Sequence, residues 1–179
     1  VAILAKLGYT VAAVSGKADA DAFLRELGAA EILTRDEMSA KPRPLEGQRW
    51  AGAVDTVGST MLARVLAETD YSGCVAACGL AGGFDLPTTV MPFILRNVRL
   101  QGVDSVMCPI ERRKTAWQRL VNDLPAKALG EIGQVATLEQ LPELAEQITT
   151  GQSGRGRHHW VFERRTCLRC GTPVATGLQ

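Results

Sequence analysis

The sequence predicts a doubly wound α/β domain, in which helices cover both faces of a parallel sheet. The chain of 179 residues contains short, continuous apolar runs of strand length, as expected for strands that are buried on both faces. These runs alternate with segments of helical periodicity as far as residue 149. Glycines follow the helical segments, where they commonly end a helix. Together these observations favour a parallel sheet over an antiparallel one.

The first part of the chain contains two predicted strands and two predicted helices. Residues 1–8 have the pattern of the last two turns of an amphipathic helix that ends at Gly8, so we expect the chain to begin inside an element. The predicted strands are residues 9–14 and 30–34, and residues 18–28 between them are a predicted helix with a terminal glycine.

The remaining elements continue the alternation. Residues 36–49 are expected to be a loop or a short helix. Further strands are predicted at residues 51–58, 72–78 and 99–103. Further helices are predicted at residues 59–66, 91–96, 111–124 and 138–149. Ser59 is the predicted cap of the first, and Thr88 or Thr89 would open the second, with Pro92 in its first turn. Pro125 would end the third.

Composition excludes several classes of protein. A hydrophobic fraction of 46% with 22% charged residues is ordinary for a soluble globular domain. The formal net charge of +1 argues against nucleic acid as the main partner. No apolar run approaches the roughly 18 residues of a membrane helix, and no secretory signal is visible. Of the five cysteines, Cys74, Cys78 and Cys108 lack the spacing of a disulfide framework, which predicts reduced thiols and a cytoplasmic protein.

The charge balance divides the chain near residue 151. Residues 1–150 carry 15 basic and 18 acidic side chains, whereas residues 151–179 carry five arginines and one glutamate. We therefore predict a cofactor-binding domain over residues 1–152 and an irregular basic tail over residues 153–179, in which residues 160–162 are a weak strand candidate. The missing periodicity suggests that the tail results from a shifted reading frame, which the nucleotide sequence read in the other frames would test.

Two turns after neighbouring strands carry cations. In an open α/β sheet, ligands bind at the carboxyl ends of the strands. Ser15, Gly16 and Lys17 follow the first strand, where an NAD-specific site usually has an acid, and Arg35 follows the second. A hydroxyl, a glycine amide and two cations suit the 2′-phosphate of NADPH. The alternatives are an ordinary surface turn and a local pairing of Arg35 with Asp36 or Glu37.

Two later turns are further candidates. Residues 79–83 contain three glycines, which would let the backbone approach a flat ligand closely, or would form a plain turn. Asp104 and Ser105 follow the last predicted strand and would face the cleft or cap a turn. Cys167 and Cys170, even with His158 and His159 upstream, do not make a convincing set of zinc ligands, so no metal site is predicted.

The chain from Leu4 to about Gln152 resembles the cofactor domain of the zinc-independent quinone-oxidoreductase-like branch of the medium-chain dehydrogenase/reductase superfamily, and more narrowly the acryloyl-CoA reductase (NADPH) group. The resemblance is carried by residues 4–9, 14–17, 33–37, 50–58, 73–83 and 86–105, including the run Leu-Pro-Thr-Thr-Val-Met-Pro-Phe-Ile-Leu-Arg-Asn at 86–97.

The resemblance implies a Rossmann-type fold and reduction of acryloyl-CoA, or a related enone or quinone, by hydride from NADPH. It places Ser15, Gly16, Lys17 and Arg35 around the 2′-phosphate. It also places residues nearer the nicotinamide, namely Leu80, Ile94 and Ser105. Relatives often form homodimers near residues 84–105. The family's glycine-rich turn and catalytic domain would precede Val1, so catalytic residues are not identified and weak or absent NADPH binding is expected of these residues.

Two other functions remain open from the sequence. One is a nucleotide-binding remnant without activity, because the phosphate-binding turn and the substrate domain do not occur in these residues. The other is a small zinc-binding module in the tail, based on Cys167 and Cys170. Upstream sequence would distinguish the first from an oxidoreductase, and metal analysis would test the second.

Overall fold

The computed structural model describes residues 1–132, 137–149 and 159–162. Its strands are β1 (Val11–Ser15), β2 (Ala29–Thr34), β3 (Trp50–Asp55), β4 (Thr69–Ala77), β5 (Arg99–Gly102) and β6 (His159–Phe162). Its helices are α1 (Ala2–Lys6), α2 (Asp21–Glu26), α3 (Arg35–Ser39), α4 (Ser59–Glu68), α5 (Met91–Arg96), α6 (Ile110–Asp123), α7 (Ala126–Ile132) and α8 (Leu141–Thr149). Single 3-10 turns at Ala18–Ala20 and Leu138–Gln140 precede α2 and α8.

The strands form one sheet in the order β2-β1-β6-β3-β4-β5. β1 pairs with β2 in parallel, as β3 does with β4 and β4 with β5. β6 is antiparallel to both β1 and β3, so β1 and β3 run in the same direction. The carboxyl ends of β1 to β5 therefore meet at one edge of the sheet, which we call the carboxyl edge.

The sheet is covered by helices on both faces. Along β1 the side chains alternate, as they must in a strand. Ala12 and Val14 join a buried cluster with residues of α3 and α4, whereas Ala13 packs with Leu24 of α2 on the other face. A third cluster joins α1, the end of α2 and α7. The predicted doubly wound α/β fold is confirmed.

β6 lies at the centre of the sheet and departs from the parallel pattern. Its residues pair with Val11 to Val14 on one side and with Gly52 to Val54 on the other. β1 and β3 are separated by the width of one strand. The backbone N–H and C=O groups along their facing edges therefore need a partner strand between them. The weak strand candidate in the tail, rich in aromatic and β-branched residues, forms this strand.

Several predicted boundaries differ from the structure. β3 ends at Asp55 and not at residue 58, because residues 56–58 form a turn. Gly58 is the N-cap of α4 and Ser59 is its first residue, so the prediction of Ser59 as the cap is wrong. Pro125 ends α6 as predicted, but α7 follows directly and was missed.

The predicted division at residue 152 stays a prediction. Apart from β6, residues 153–179 lie outside the described residues, and so do Cys167 and Cys170. None of the helices in the described residues has the length and apolar character needed to cross a membrane.

Candidate functional site

The turn after β1 is built around the Ser15 side chain. Ser15 is 6% exposed. Its hydroxyl accepts a hydrogen bond from the Lys17 backbone N–H at 3.1 Å and lies 3.2 Å from the Lys17 carbonyl, to which it donates. Such a side-chain-to-backbone bond two residues on fixes a tight turn. The turn therefore holds the backbone of Gly16 and Lys17 at the carboxyl edge.

Arg35 lies against this turn from the neighbouring strand. A Cβ atom placed on Gly16 would be 2.9 Å from Arg35 Cδ and 3.1 Å from its Nε, so the guanidinium stem crosses directly over Gly16. Because β1 and β2 are adjacent and parallel, their two turns meet at the carboxyl edge. The structure thus brings Ser15, Gly16, Lys17 and Arg35 together, as the sequence predicted.

A capping box positions the backbone of Arg35. Thr34 is the N-cap of α3, and its side chain accepts from the Glu37 N–H at 3.2 Å. Glu37 in turn accepts from the Thr34 N–H and hydroxyl at 2.8 and 2.7 Å, and these bonds lower the pKa of Glu37. Glu37 is therefore engaged by Thr34, and within the described residues Arg35 has no ion-pair partner.

The two turns enclose a cleft of about 430 Å³. The cleft is lined by Ser15, Gly16, Lys17 and Arg35. Its other lining residues are Asp21, Ile32, Leu33, Thr34 and Asp36. Asp21 and Asp36 are acids in the first turns of α2 and α3, where the helix dipole favours negative charge. The cleft therefore offers two cations, a buried hydroxyl and the apolar side chains of Ile32 and Leu33. An anion bound in the cleft would also lie near the carboxylates of Asp21 and Asp36.

Gly16 should matter through the space it leaves for Arg35. In Gly16→Ala the new methyl group would displace the Arg35 side chain, which is flexible, so folding stability should change little. Affinity for 2′,5′-ADP, a probe for the 2′-phosphate, should fall about threefold, since a displaced cation loses part of a charge-assisted bond. Isothermal titration would measure it. Gly47→Ala is the matched control, because a Cβ atom there meets nothing within 4 Å, and equal affinities would contradict this role.

A second pair of turns lies along the carboxyl edge, after β3 and β4. The N–H groups of Cys78, Ala81 and Gly82 donate to the carbonyls of Asp55, Thr56 and Val57 at 2.8, 3.3 and 2.8 Å. Added Cβ atoms at Gly79 and Gly82 would come within 2.6 Å of Thr56 O and 2.5 Å of Val57 Cγ1. The glycines in 79–83 are therefore needed for close contact between the two turns.

The Asp55 carboxylate fixes the turn after β3 by accepting hydrogen bonds from its backbone. It is fully buried and accepts from the Gly58 N–H at 2.9 Å and, at 3.4 Å, from that of Val57. Burial raises the pKa of Asp55, and the two backbone bonds oppose that rise. Sequence reasoning missed this residue because it was assigned to a longer strand. An acid between an apolar run and a glycine was the available signal.

Leu80, Ile94 and Ser105 do not line the cleft. Leu80 is 66% exposed in the turn after β4, and Ile94 is 73% exposed on α5. Ser105 is exposed after β5, and its carbonyl accepts from Arg113 at 2.6 Å. Asp104 caps this last turn by accepting from the N–H groups of Val106 and Met107, so the turn-capping alternative holds for Asp104. The grouping of Leu80, Ile94 and Ser105 around a nicotinamide stays a prediction.

No group of three His, Cys, Asp or Glu side chains in 1–132, 137–149 or 159–162 could hold a metal ion. Cys74, Cys78 and Cys108 are free thiols there.

Comparison with known proteins identifies the family. The model of the zinc-binding dehydrogenase family matches residues 1–122. The chain is 61% identical over 152 residues to the probable acrylyl-CoA reductase AcuI of Escherichia coli, which is 85% of this chain and 47% of that relative. The chain thus spans about half the length of this relative.

Solved structures show the same relationship. The yhdH oxidoreductase of Salmonella enterica, in complex with NADP, superposes with a TM-score of 0.82 at 60% identity, over 85% of this chain and 47% of that one. The yhfP protein of Bacillus subtilis, with NAD bound, superposes with a TM-score of 0.80 at 40% identity, over 87% and 48%. The resemblance stated from the sequence is confirmed, and the chain belongs to the zinc-binding dehydrogenase family.

Proposed function

We propose that this chain is the cofactor-domain part of an NADPH-dependent oxidoreductase. The enzyme would reduce the activated double bond of acryloyl-CoA, or of a related enone or quinone, by hydride transfer. The observation that carries the proposal is the convergence of Ser15, Gly16, Lys17 and Arg35 on one cleft at the carboxyl edge. Relatives named as acrylyl-CoA reductases, and a relative's structure in complex with NADP, support it.

The cleft fits the adenosine 2′-phosphate of NADPH in its chemistry. Lys17 would supply a point charge, and Arg35 could present two parallel N–H donors to phosphate oxygens. The Gly16 N–H would add a hydrogen bond, and the Ser15 hydroxyl would add another by turning its O–H from the Lys17 carbonyl to the phosphate. A site selective for NADH would instead be expected to have an acid that accepts from the ribose 2′-hydroxyl. Asp21 and Asp36 lower the net charge of the cleft, and Lys17 and Arg35 are proposed as the residues that decide between the cofactors.

The bound cofactor would supply the hydride, and this chain would orient it. We propose that the nicotinamide half lies near Leu80, Ile94 and Ser105. Leu80 follows β4, Ile94 lies on α5, and Ser105 follows β5. The exposed apolar side chains of Leu80 and Ile94 would form a surface for the flat ring and limit the access of water to it. No catalytic acid or base is proposed among these residues.

A graft into a longer relative tests the proposed reaction. The segment of the Escherichia coli relative that matches this chain would be replaced by this chain's own matched residues. We expect the graft to oxidise NADPH and to convert acryloyl-CoA to propionyl-CoA, detected by mass spectrometry, with NADH a poorer donor. The same graft carrying Arg35→Ala is the control for cofactor use. A folded graft that binds NADPH without turnover would contradict the reductase proposal for these residues.

We also propose that the protein forms a homodimer through the β5 edge and acts in the cytoplasm. Within the described residues β5 is a terminal strand of the sheet, and Phe84, in the segment that follows β4, is 92% exposed. A terminal strand and an exposed apolar side chain each favour association with a second copy. Light scattering should give twice the chain mass, and Phe84→Asp should lower it toward the monomer. A wild-type monomer at high concentration would contradict the dimer.

The free thiols of Cys74, Cys78 and Cys108 suit a reducing compartment, which supports the proposed location in the cytoplasm.

A further inference from the structure

Asp55 lies at the point where the turns after β3 and β4 are joined. Its carboxylate accepts from the Val57 and Gly58 N–H groups, and its carbonyl accepts from the Cys78 N–H at 2.8 Å and the Cys78 thiol at 3.3 Å. One residue therefore contacts the first turn with its side chain and the second with its backbone. Both turns stand at the carboxyl edge.

The position of Leu80 depends on this arrangement. The carbonyls of Thr56 and Val57, whose turn the Asp55 carboxylate shapes, accept from the N–H groups of Ala81 and Gly82. On the other side, a Cβ atom on Gly58 would be 3.6 Å from Leu80 Cα and 2.4 Å from Gly83 O, so the backbones of the two turns touch. A shift of the 56–58 turn would therefore move Leu80 with it.

The burial of a carboxylate at this point is not required by packing. Asp55 ends a strand whose other buried positions are apolar or glycine, and it is 0% exposed. A buried carboxylate costs desolvation that an amide would largely avoid. A buried acid at the edge where ligands bind therefore points to a role in the site beyond the stability of the sheet.

We propose that Asp55 is a positioning residue for the nicotinamide half of the cofactor site, acting through the interlocked turns 56–58 and 78–83 on Leu80. This inference rests on the proposed function. The Asp55 carboxylate orients the N–H groups of Val57 and Gly58 in the 56–58 turn. The carbonyls of this turn accept hydrogen bonds from the 78–83 turn, which contains Leu80. Asp55 does not touch the ligand, and its effect should therefore be absent for ligands that lack the nicotinamide half.

Two ligands separate this role from general binding. 2′,5′-ADP occupies only the adenosine end, whereas NADPH also extends toward Leu80. In Asp55→Asn one acceptor remains for the Gly58 N–H, but the amide NH₂ would face the Val57 N–H. We expect NADPH affinity to fall about tenfold, as expected when a bond from a charged group is lost, with 2′,5′-ADP affinity unchanged. NADPH-induced shifts of the Leu80 and Gly82 amide signals in NMR titrations of the full chain should shrink, while those of Gly16 and Lys17 persist.

Control variants make the outcome decisive. Asp70→Asn removes another carboxylate that is 6% exposed, near the amino end of β4 and far from the carboxyl edge, and should change neither affinity. Gly79→Ala would place a Cβ atom 2.6 Å from Thr56 O and push the two turns apart without altering Asp55. It should reproduce the selective loss of NADPH affinity, and it decides the question if Asp55→Asn does not fold.

The failure of this inference differs from the failure of the proposed function. If the graft of this chain's residues into the Escherichia coli relative binds neither NADPH nor 2′,5′-ADP, the proposed function is wrong. If that graft binds both ligands, and its Asp55→Asn and Gly79→Ala forms bind NADPH as tightly as the unsubstituted graft, with Leu80 shifts intact, the positioning role is overturned. An equal loss for both ligands would also overturn it, because a general loss of structure would then explain the effect.

Discussion

Replacing Arg35 by alanine should weaken binding of 2′,5′-ADP about tenfold and leave binding of 5′-AMP unchanged. Arg35 crosses over Gly16 at the cleft, and no ion pair engages it among the residues described. Its guanidinium is therefore available to a phosphate, and one hydrogen bond between charged groups contributes about 1.5–3 kcal/mol. Arg35 is exposed, so screening places the effect at the lower end. Titration calorimetry at low and at moderate salt would measure it.

Lys17→Ala should act in the same direction but more weakly, because an ammonium group is a point charge without the planar fork of arginine. Arg112→Ala on α6 is the matched control, since it removes an exposed arginine that does not line the cleft. If Arg112→Ala weakens 2′,5′-ADP binding as much as Arg35→Ala does, the effect is one of net charge, and the assignment of the phosphate site to the cleft is wrong.

Replacing Trp50 by alanine should produce the largest loss of stability in this chain, about 4 kcal/mol in the free energy of unfolding. Trp50 is fully buried at the start of β3. Its indole N–H donates to Glu68 at 2.8 Å, and the Arg49 guanidinium lies 4.3 Å from the ring centroid. Truncation would leave a cavity and would also deprive the buried Glu68 carboxylate of a donor. Urea denaturation followed by circular dichroism would measure the change.

Two further substitutions separate packing from hydrogen bonding. Trp50→Phe keeps most of the ring volume and loses the bond to Glu68, which retains an ion pair with Arg64 at 2.9 Å. It should cost about 2 kcal/mol. Trp117→Ala removes an indole that is 63% exposed on α6 and should cost at most about 0.5 kcal/mol. Equal losses for Trp50→Ala and Trp117→Ala would show that the ring does not anchor the core.

Strands with continuous apolar runs were the most predictable part of the fold. Val11–Ser15 is buried at every position, and such a run indicates a strand covered on both faces without any knowledge of its neighbours. The ends of the elements were less predictable. Thr56 and Val57 are residue types common in strands, yet residues 56–58 form a turn because the Asp55 carboxylate accepts from the Val57 and Gly58 N–H groups. These bonds are local in sequence but are not visible in periodicity, and the only signal for them was an acid between an apolar run and a glycine.

The convergence of the residues proposed for the adenosine side could be predicted from the sequence, whereas no grouping of the residues proposed for the nicotinamide side is seen in the described residues. Ser15 to Lys17 and Arg35 directly follow adjacent parallel strands, so topology alone brings them together. Leu80, Ile94 and Ser105 came from resemblance, and nothing in the described residues groups them around one ligand. The antiparallel direction of β6 was also not predictable, because an apolar triplet contains no information about which strands it will join.

We propose that the cleft between the turns after β1 and β2 selects NADPH through its 2′-phosphate. An NMR titration of the chain with NADPH and, separately, with NADH would measure this selection. We expect tighter binding of NADPH, with the largest shifts at Gly16, Lys17 and Arg35 and a smaller set at Leu80. Equal affinity for the two cofactors, or shifts that avoid the Ser15–Lys17 turn, would contradict it.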